Sequence, residues 1–384
     1  MKKEFLMIPG PTPVHPDISR EMSAPVINHR GPKFKDILEE VTAGLKEFFQ
    51  TENRVLLLSS SGTGAMEAGI VNFLSPGERV VSLINGSFGE RLATIAEVYG
   101  GAVEKVESEW GEPLDYQYLE ELFSQDTSEK IKAVTVVHNE SSTGMMNDVA
   151  RISKIKGDHP ALLIVDTVSS LGAVPFPVDE WGIDICFTAS QKVLMMPPGI
   201  AFISVSPRAW DRMKEAQMSN FYFNLQRMQD FYEIGQTPFT PSLPQIMALR
   251  KALELYFEEG RAQVHQRHEI NTQAVRAAAR ALGLDLLVQE EYYASRTVTG
   301  ILASNGVQVD DLRSRMRNQY GVELAGGFGK LAQKLFRIGH LGAIYEMDVI
   351  AAVAALEMVL RQLGQDIPMG RGVAAAQEVV FNHT

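Results

Sequence analysis

Between residues 54 and 206 the chain keeps changing its hydrophobic period. "RVLLLSSSG" reads as a buried strand running into a loop, and "AMEAGIVNFL" after it as a helix. "ERVVSLING" is followed by the helical "GERLATIAEVYG", which ends at glycine. "AVEKVE" and "KAVTVVHNE" enclose the helical "LDYQYLEELFSQ". "ALLIVDTVSS", residues 161–170, is an aliphatic run of the kind buried on both faces of a parallel sheet. "IDICFTAS" and "GIAFISVS" supply two further strands. Such alternation predicts an α/β domain, a mostly parallel sheet sandwiched by helices, over residues 21–260.

The flanks read differently. Prolines at 9, 11, 13 and 16 make residues 1–20 an extended segment, and the first thirty residues read as irregular. "FKDILEEVTAGLKEFFQ", 34–50, has helical spacing. From residue 261 to 384 long helical stretches ("QRHEINTQAVRAAARALG", "VDDLRSRMRNQYG", "MDVIAAVAALEMVLRQLG") alternate with the short strands "SRTVTGILA" and "KLFRIGHL". That predicts a smaller α+β domain with helices on one face of an antiparallel sheet. The tail after Gly364 shows no period and is expected to be partly ordered at best. A chain of 384 residues is longer than one core usually serves, which fits a large and a small domain.

Charge and cysteine content narrow the function classes. A net charge of -11 argues against a nucleic-acid footprint, which needs clustered Lys and Arg. It leaves room for a small anion held by local positive charge. The single cysteine, Cys186, permits no internal disulfide and no cysteine-based zinc or iron–sulfur site, so no metal centre is expected. It reads as a buried strand residue. "MKKEFLMIPGPTP" has two lysines but too short an apolar segment for a signal peptide, and no stretch is long enough to span a bilayer. The expectation is a soluble cytoplasmic protein.

Three loops carry candidate chemistry. In "SSSGTGAMEA", 59–68, a strand ends and a helix begins over small residues, where backbone N–H groups and the helix dipole suit an anion. Gly62 and Gly64 make G-x-G, but Glu67 stands where a dinucleotide fingerprint needs its third glycine. An ordinary helix cap by Ser61 or Thr63 is the competing reading. Asp166 ends the aliphatic run, at the strand end where open α/β sheets bind ligands. It either faces a buried cation or caps a turn. Lys192, in "FTASQKVLMMPPG", follows the next strand and is flanked by Val193, Leu194, Met195 and Met196. Desolvation there would lower its pKa and expose a nucleophilic amine able to form a Schiff base. A lysine snorkelling off a strand end is the commoner use of the residue. An anion cradle, an acid for a pyridinium nitrogen and a lysine for an aldehyde together fit pyridoxal phosphate.

The stretches "PGPTPV", "SSSGTGAMEA", "NGSFGER", "HNESSTG", "VDTVSSLG", "SQKVLMMPPG" and "LFRIGHLG" follow one another over nearly the whole chain. Together they resemble the class V aminotransferases of the fold type I pyridoxal-phosphate group, closest to the alanine–glyoxylate and serine–glyoxylate enzymes. The resemblance implies that Lys192 carries the cofactor as a Schiff base and then shuttles a proton. Asp166 would pair with the pyridinium nitrogen, Val168 would pack under the ring, and Phe88 would stack on it where many members have Trp. Ser61, Gly62 and Thr63 would cradle the phosphate, with Gln191 beside the lysine. Position 63 is often His in the family, so Thr63 would contribute mainly its N–H. Ser141 would lie near the ring hydroxyl and the substrate. Arg337 would grip the substrate carboxylate, and Gly10 would line the substrate pocket. Thr237 and Thr240, in "QTPFTPSLP", would reach a neighbouring subunit's phosphate in a homodimer, Thr237 falling where glyoxylate-specific relatives often have Tyr.

The implied activity is a ping-pong transfer of an amino group from alanine or serine to glyoxylate, with small amino acids and 2-oxo acids as partners. Related readings are a donor such as 2-aminoethylphosphonate or ureidoglycine, or a non-catalytic subunit associated with a soluble hydrogenase. A cysteine desulfurase needs a mobile nucleophilic cysteine, which Cys186 in its apolar run does not suit.

Overall fold

The computed structural model describes residues 4–304 and 306–383; Lys2 and Lys3 of the amino-terminal reading lie outside them. The first elements correct the expectation of an extended, irregular start. β1 (Phe5–Met7) is a strand, and α1 (Pro16–Met22) is a helix that uses Pro16 in its first turn. Proline is tolerated there because that N–H would have no intrahelical partner. α2 (Pro32–Phe49) starts the same way and buries Phe34, Ile37, Leu38, Val41, Leu45 and Phe48, a stripe at three- and four-residue spacing.

Strands and helices then alternate: β2 (Arg54–Leu58), α3 (Gly62–Val71), β3 (Arg79–Ile84), α4 (Ser87–Val98), β4 (Ala102–Glu107), α5 (Tyr116–Gln125) and β5 (Ile131–Val137). A short hairpin, β6 (Asn139–Glu140) and β7 (Met145–Met146), precedes α6 (Val149–Lys156). β8 (Leu162–Asp166), β9 (Ile185–Ala189) and β10 (Ala201–Val205) are buried at every residue, as expected for strands covered on both faces. Seven strands form one sheet in the order β2-β10-β9-β8-β5-β3-β4. Only β10 runs antiparallel to its neighbours; the other pairings are parallel. The carboxyl ends of β2, β5, β8 and β9 therefore share one edge, where such sheets bind ligands.

Helices α7 (Pro207–Met213), α8 (Leu225–Glu233) and α9 (Leu243–Glu259) follow, and then the long α10 (Arg261–Ala281). The carboxyl-terminal part adds β11 (Val298–Leu302), α11 (Val309–Tyr320), β12 (Val322–Gly326), β13 (Leu335–Gly339), α12 (Glu346–Gln362) and α13 (Arg371–Phe381). Its sheet has the order β1-β12-β13-β11. It is mixed rather than antiparallel, because β1 joins β12 in parallel with Phe5 opposite Val322.

The tail needs a second correction. α13 is a helix packed on α10 and α12; it buries the small Gly372 and Ala376, and the half-buried Val373, Val379 and Val380 pack on the second core beside them. Glu357 of α12 accepts hydrogen bonds from the N–H groups of Gly370 (2.8 Å), Gly372 (2.5 Å) and Val373 (3.0 Å) at its amino end. Two large apolar cores result, beside a small cluster of Met145, Val288 and Ala294. One spans residues from Ile18 to Val264; the other unites Met7 with residues from Ala274 to Ala376. Among the described residues no helix is long and apolar enough to cross a membrane.

Candidate active site

The strand edge opens into a cavity of about 120 Å³ lined by Ser61, Gly62, Thr63, Phe88, Ser141, Asp166, Val168, Gln191 and Lys192, the residues singled out from separate motifs, together with Met66, Arg91, Val137, Asn139 and Ser169.

Lys192 gets there through a tight return between two antiparallel strands. Ala189 of β9 faces Ala201 of β10, and the loop between them is closed by Ser190 N–H to Ile200 O (3.0 Å) and Ser190 Oγ to Pro197 O (2.7 Å). Met195 takes a left-handed conformation within it, φ 54°. The amino-terminal segment braces the loop from outside. Thr12 N–H donates to Gln191 O (3.0 Å), Thr12 Oγ1 to Lys192 O (2.9 Å), and Lys192 Nζ donates to the Pro9 carbonyl. Gly10 has φ 135°, and a Cβ there would lie 2.5 Å from Lys192 Nζ. Gly10 thus leaves room for the lysine rather than lining the cavity. Burial pulls the Lys192 ammonium down from 10.5 to about 8, opposed by Asp166 and assisted by Arg337.

Asp166 ends β8 at the centre of the sheet and is 3% exposed. Its Oδ1 accepts from Val168 N–H at 2.7 Å. Burial pushes it up to about 7 and Glu140 adds to the effect, while the Val168 N–H, Lys192 and Arg91 oppose it. A carboxyl group under that penalty is ready for a positively charged N–H partner. Two other acceptors lining the cavity, Gln191 Oε1 and Asn139 Oδ1, are buried without a hydrogen-bond partner among the described residues. A polar heteroaromatic cofactor fits this set of unmet groups.

Ser61 precedes α3, and its side chain makes no capping bond, so the competing reading of an ordinary serine cap does not hold for it. The loop approaches Val168 closely; a Cβ on Gly62 would sit 3.0 Å from Val168 Cγ2. Arg91, which the motif reading passed over, donates from Nη1 to Thr63 Oγ1 (3.2 Å) and lies 4.8 Å over the Phe88 ring. Its signal was its place three residues after Phe88, one turn along α4.

Arg337 of β13 is buried behind Ser141. Nη1 donates to Ser141 O (2.6 Å) and Nε to Gly326 O (2.8 Å), with the Phe328 ring 4.6 Å away. Among the described residues no carboxylate forms an ion pair with it, and burial lowers it to about 10. Thr237 and Thr240 are not brought to this cavity. They line a neighbouring cleft with Ser59, Tyr222 and Phe239, and Thr237 Oγ1 donates to Phe239 O (2.8 Å). Cys186 is fully buried against Thr167, and its thiol is pushed up to about 12.

The aminotransferase class-V family matches residues 18–336. The soluble hydrogenase small subunit of Synechococcus sp. (strain PCC 6716) is 44% identical, the match covering 98% of each chain. The serine–glyoxylate aminotransferase of Arabidopsis thaliana is 35% identical over 99% of this chain and 96% of its own. The crystal structure of the ureidoglycine–glyoxylate aminotransferase of Bacillus subtilis superposes with a TM-score of 0.93 at 32% identity, covering 100% of this chain and 99% of that one. A lysine loop, a strand-end aspartate and a helix-end cradle meeting in one cavity, on a chain matched nearly end to end, place it in a family: the chain belongs to the class-V aminotransferases, and its fold is fold type I.

Proposed function

We propose that the chain is a pyridoxal-phosphate transaminase that moves an amino group from a small amino acid, alanine or serine, to glyoxylate. The observation that carries this reading is the convergence of Lys192, Asp166 and the Ser61–Thr63 loop on one cavity. Pyridoxal phosphate would supply an aldehyde and an electron-withdrawing ring. The residues divide the remaining work. The N–H groups at the start of α3 would receive the phosphate, and Asp166 would keep a proton on the ring nitrogen. Phe88 and Val168 would wall the ring. Arg337 offers its planar fork to the substrate carboxylate. The Lys192 amine, part neutral near pH 8, would hold the cofactor at its aldehyde and, once freed, would be the base placed to take a proton from the substrate Cα. The donor leaves as its 2-oxo acid before glyoxylate enters.

A second copy of the chain completes the site in this reading. Thr237 and Thr240 stand outside the cavity of their own chain, on a face that exposes Phe221 and Tyr222. The serine–glyoxylate and ureidoglycine–glyoxylate relatives support glyoxylate as acceptor and leave the donor to experiment. The test is a half-reaction panel that scores which amines convert bound cofactor to its amine form. Alanine or serine should react fastest. Preference for 2-aminoethylphosphonate or ureidoglycine overturns the donor. Lys192→Ala should stay folded and lose roughly 10²–10⁴-fold or more in turnover, the usual worth of a positioned acid–base group. Normal turnover in that variant overturns the whole reading. The name of the Synechococcus relative favours a second reading, non-catalytic association with a hydrogenase, and co-purification of the chain with a nickel–iron protein supports it.

A further inference from the structure

One buried carboxylate bears on the chemistry above through its charge near Asp166. Glu140, in "HNESSTG", is completely buried. Its Oε2 accepts from the N–H groups of Phe88 (3.1 Å) and Gly89 (3.0 Å), in the first turn of α4. Its Oε1 accepts from Ser142 N–H (3.1 Å) and from Ser142 Oγ. Gly86, just before α4, leaves space for it: a Cβ there would lie 2.3 Å from Glu140 Cγ. Negative charge is favoured at a helix amino end, so the carboxylate ties down the turn that carries Phe88.

The same turn reaches the carboxyl-terminal sheet. Thr143 and Gly144 N–H groups return to Glu140 O (3.1 and 2.9 Å). The turn lies flat on β11: a Cβ on Gly144 would meet Gly300 N at 3.0 Å, and one on Gly300 would meet Thr143 O at 2.6 Å. Gly300 is the register partner of Arg337 on β13. Ser141, inside the turn, accepts the Arg337 guanidinium. One carboxylate therefore links the segment that sets the ring wall to the strand pair that sets the carboxylate grip.

We propose that Glu140 is a positioning residue that holds Phe88, in the cavity wall, and Arg337, behind Ser141, in fixed relation through the amino end of α4 and the Ser141–Gly144 turn. It touches neither substrate nor cofactor. Its kinetic consequence rests on the transaminase reading; its effect on the cavity does not.

The test is Glu140→Gln in the holoenzyme. The variant keeps the volume but turns an amide NH₂ toward backbone donors. KM for both amino donor and oxo acceptor should rise roughly tenfold to a hundredfold, as for a grip displaced by a fraction of an ångström to an ångström. The visible circular-dichroism band of bound pyridoxal phosphate should change as Phe88 shifts. Added to Arg337→Lys, Glu140→Gln should raise KM by less than about twofold, because the two act as one unit. Glu140→Asp, which keeps the charge, should recover part of the loss. A lowered melting temperature with wild-type KM and an unchanged band would show Glu140 to be structural only and overturn the proposal. If Glu140→Gln does not fold, Gly86→Ala crowds the same carboxylate without altering its charge; wild-type KM and band in that variant overturn it equally. If the unmodified protein converts no amino donor, the transaminase reading fails. Glu140 is then judged on the band and on the affinity for pyridoxal phosphate, and no change in either overturns it.

Discussion

Lys192 is a burden on the protein without its cofactor. Its folded pKa of about 8 lies below the 10.5 of an exposed lysine, because burial penalises the ammonium more than Asp166 relieves it. Between those two pH values the unfolded chain holds a proton that the folded one has lost. Stability from this group therefore climbs as pH rises from about 8 to about 10.5, and the penalty is fully present below 8. Asp166, held up to about 7, changes charge below that window; its contribution falls as pH rises toward 7. Lys192→Met should stabilise the cofactor-free protein at pH 7.5 by an amount of order 3 kcal/mol. The gain should shrink at pH 10.5. Denaturant midpoints at the two pH values check this, and a gain that does not shrink with pH would refute the desolvation argument.

Among elements, what was legible was what local pattern carries. β8 and β9 could be read from "ALLIVD" and "IDICFTA" because strands buried on both faces admit only apolar residues. Lys192 and Asp166 stood out because each is a charge at the end of such a run. The brace around the lysine was not legible, since Pro9 O and Lys192 Nζ are separated by 183 positions and joined by a backbone atom that any residue possesses. β1 escaped for a like reason: a three-residue strand has no pattern, and only its pairing with β12 defines it. Glu140 lay inside a quoted motif, but its role depends on N–H groups of another element. α13 is the clearest case: its apolar face is made of small and half-buried residues, and its amino end is held by a side chain of another helix. Glu357→Ala leaves the N–H groups of Gly370, Gly372 and Val373 without their acceptor. The variant should lose about 1–3 kcal/mol, the cost of stranding buried donors. Hydrogen exchange should rise first in residues 371–381, with activity per folded molecule unchanged. Uniform exchange across the chain would show that α13 does not depend on this cap.

At the scale of the whole molecule, the cavity stands on the seven-stranded sheet and backs, through Ser141, onto the four-stranded one. Lys192 and Asp166 come from the seven-stranded sheet, Arg337 from the four-stranded one, and the Glu140 turn spans the two. The 236–244 segment is the part that one chain leaves outside. It is anchored by Ser242 N–H to Ser59 Oγ (3.3 Å), and Ser59 lines the same separate cleft as Thr237 and Thr240. Beside them Tyr222 stacks on Phe239 at 5.2 Å, and Phe221 packs at 5.9 Å. Phe221 remains 70% exposed and Tyr222 43%. Large aromatic surface left in water beside a cleft is the kind of face that another protein covers, and a second copy is the occupant we propose for it. Phe221→Asp places a charge on that face without touching the cavity. Sedimentation should show the unmodified chain as a dimer and the variant shifted toward monomer. The variant should bind pyridoxal phosphate about tenfold more weakly, a loss of about 1.4 kcal/mol. The affinity should recover at high protein concentration, because the missing contacts return when the dimer re-forms. A variant that stays dimeric with unchanged affinity, or an unmodified chain that is monomeric and fully active, would remove the second copy from the site.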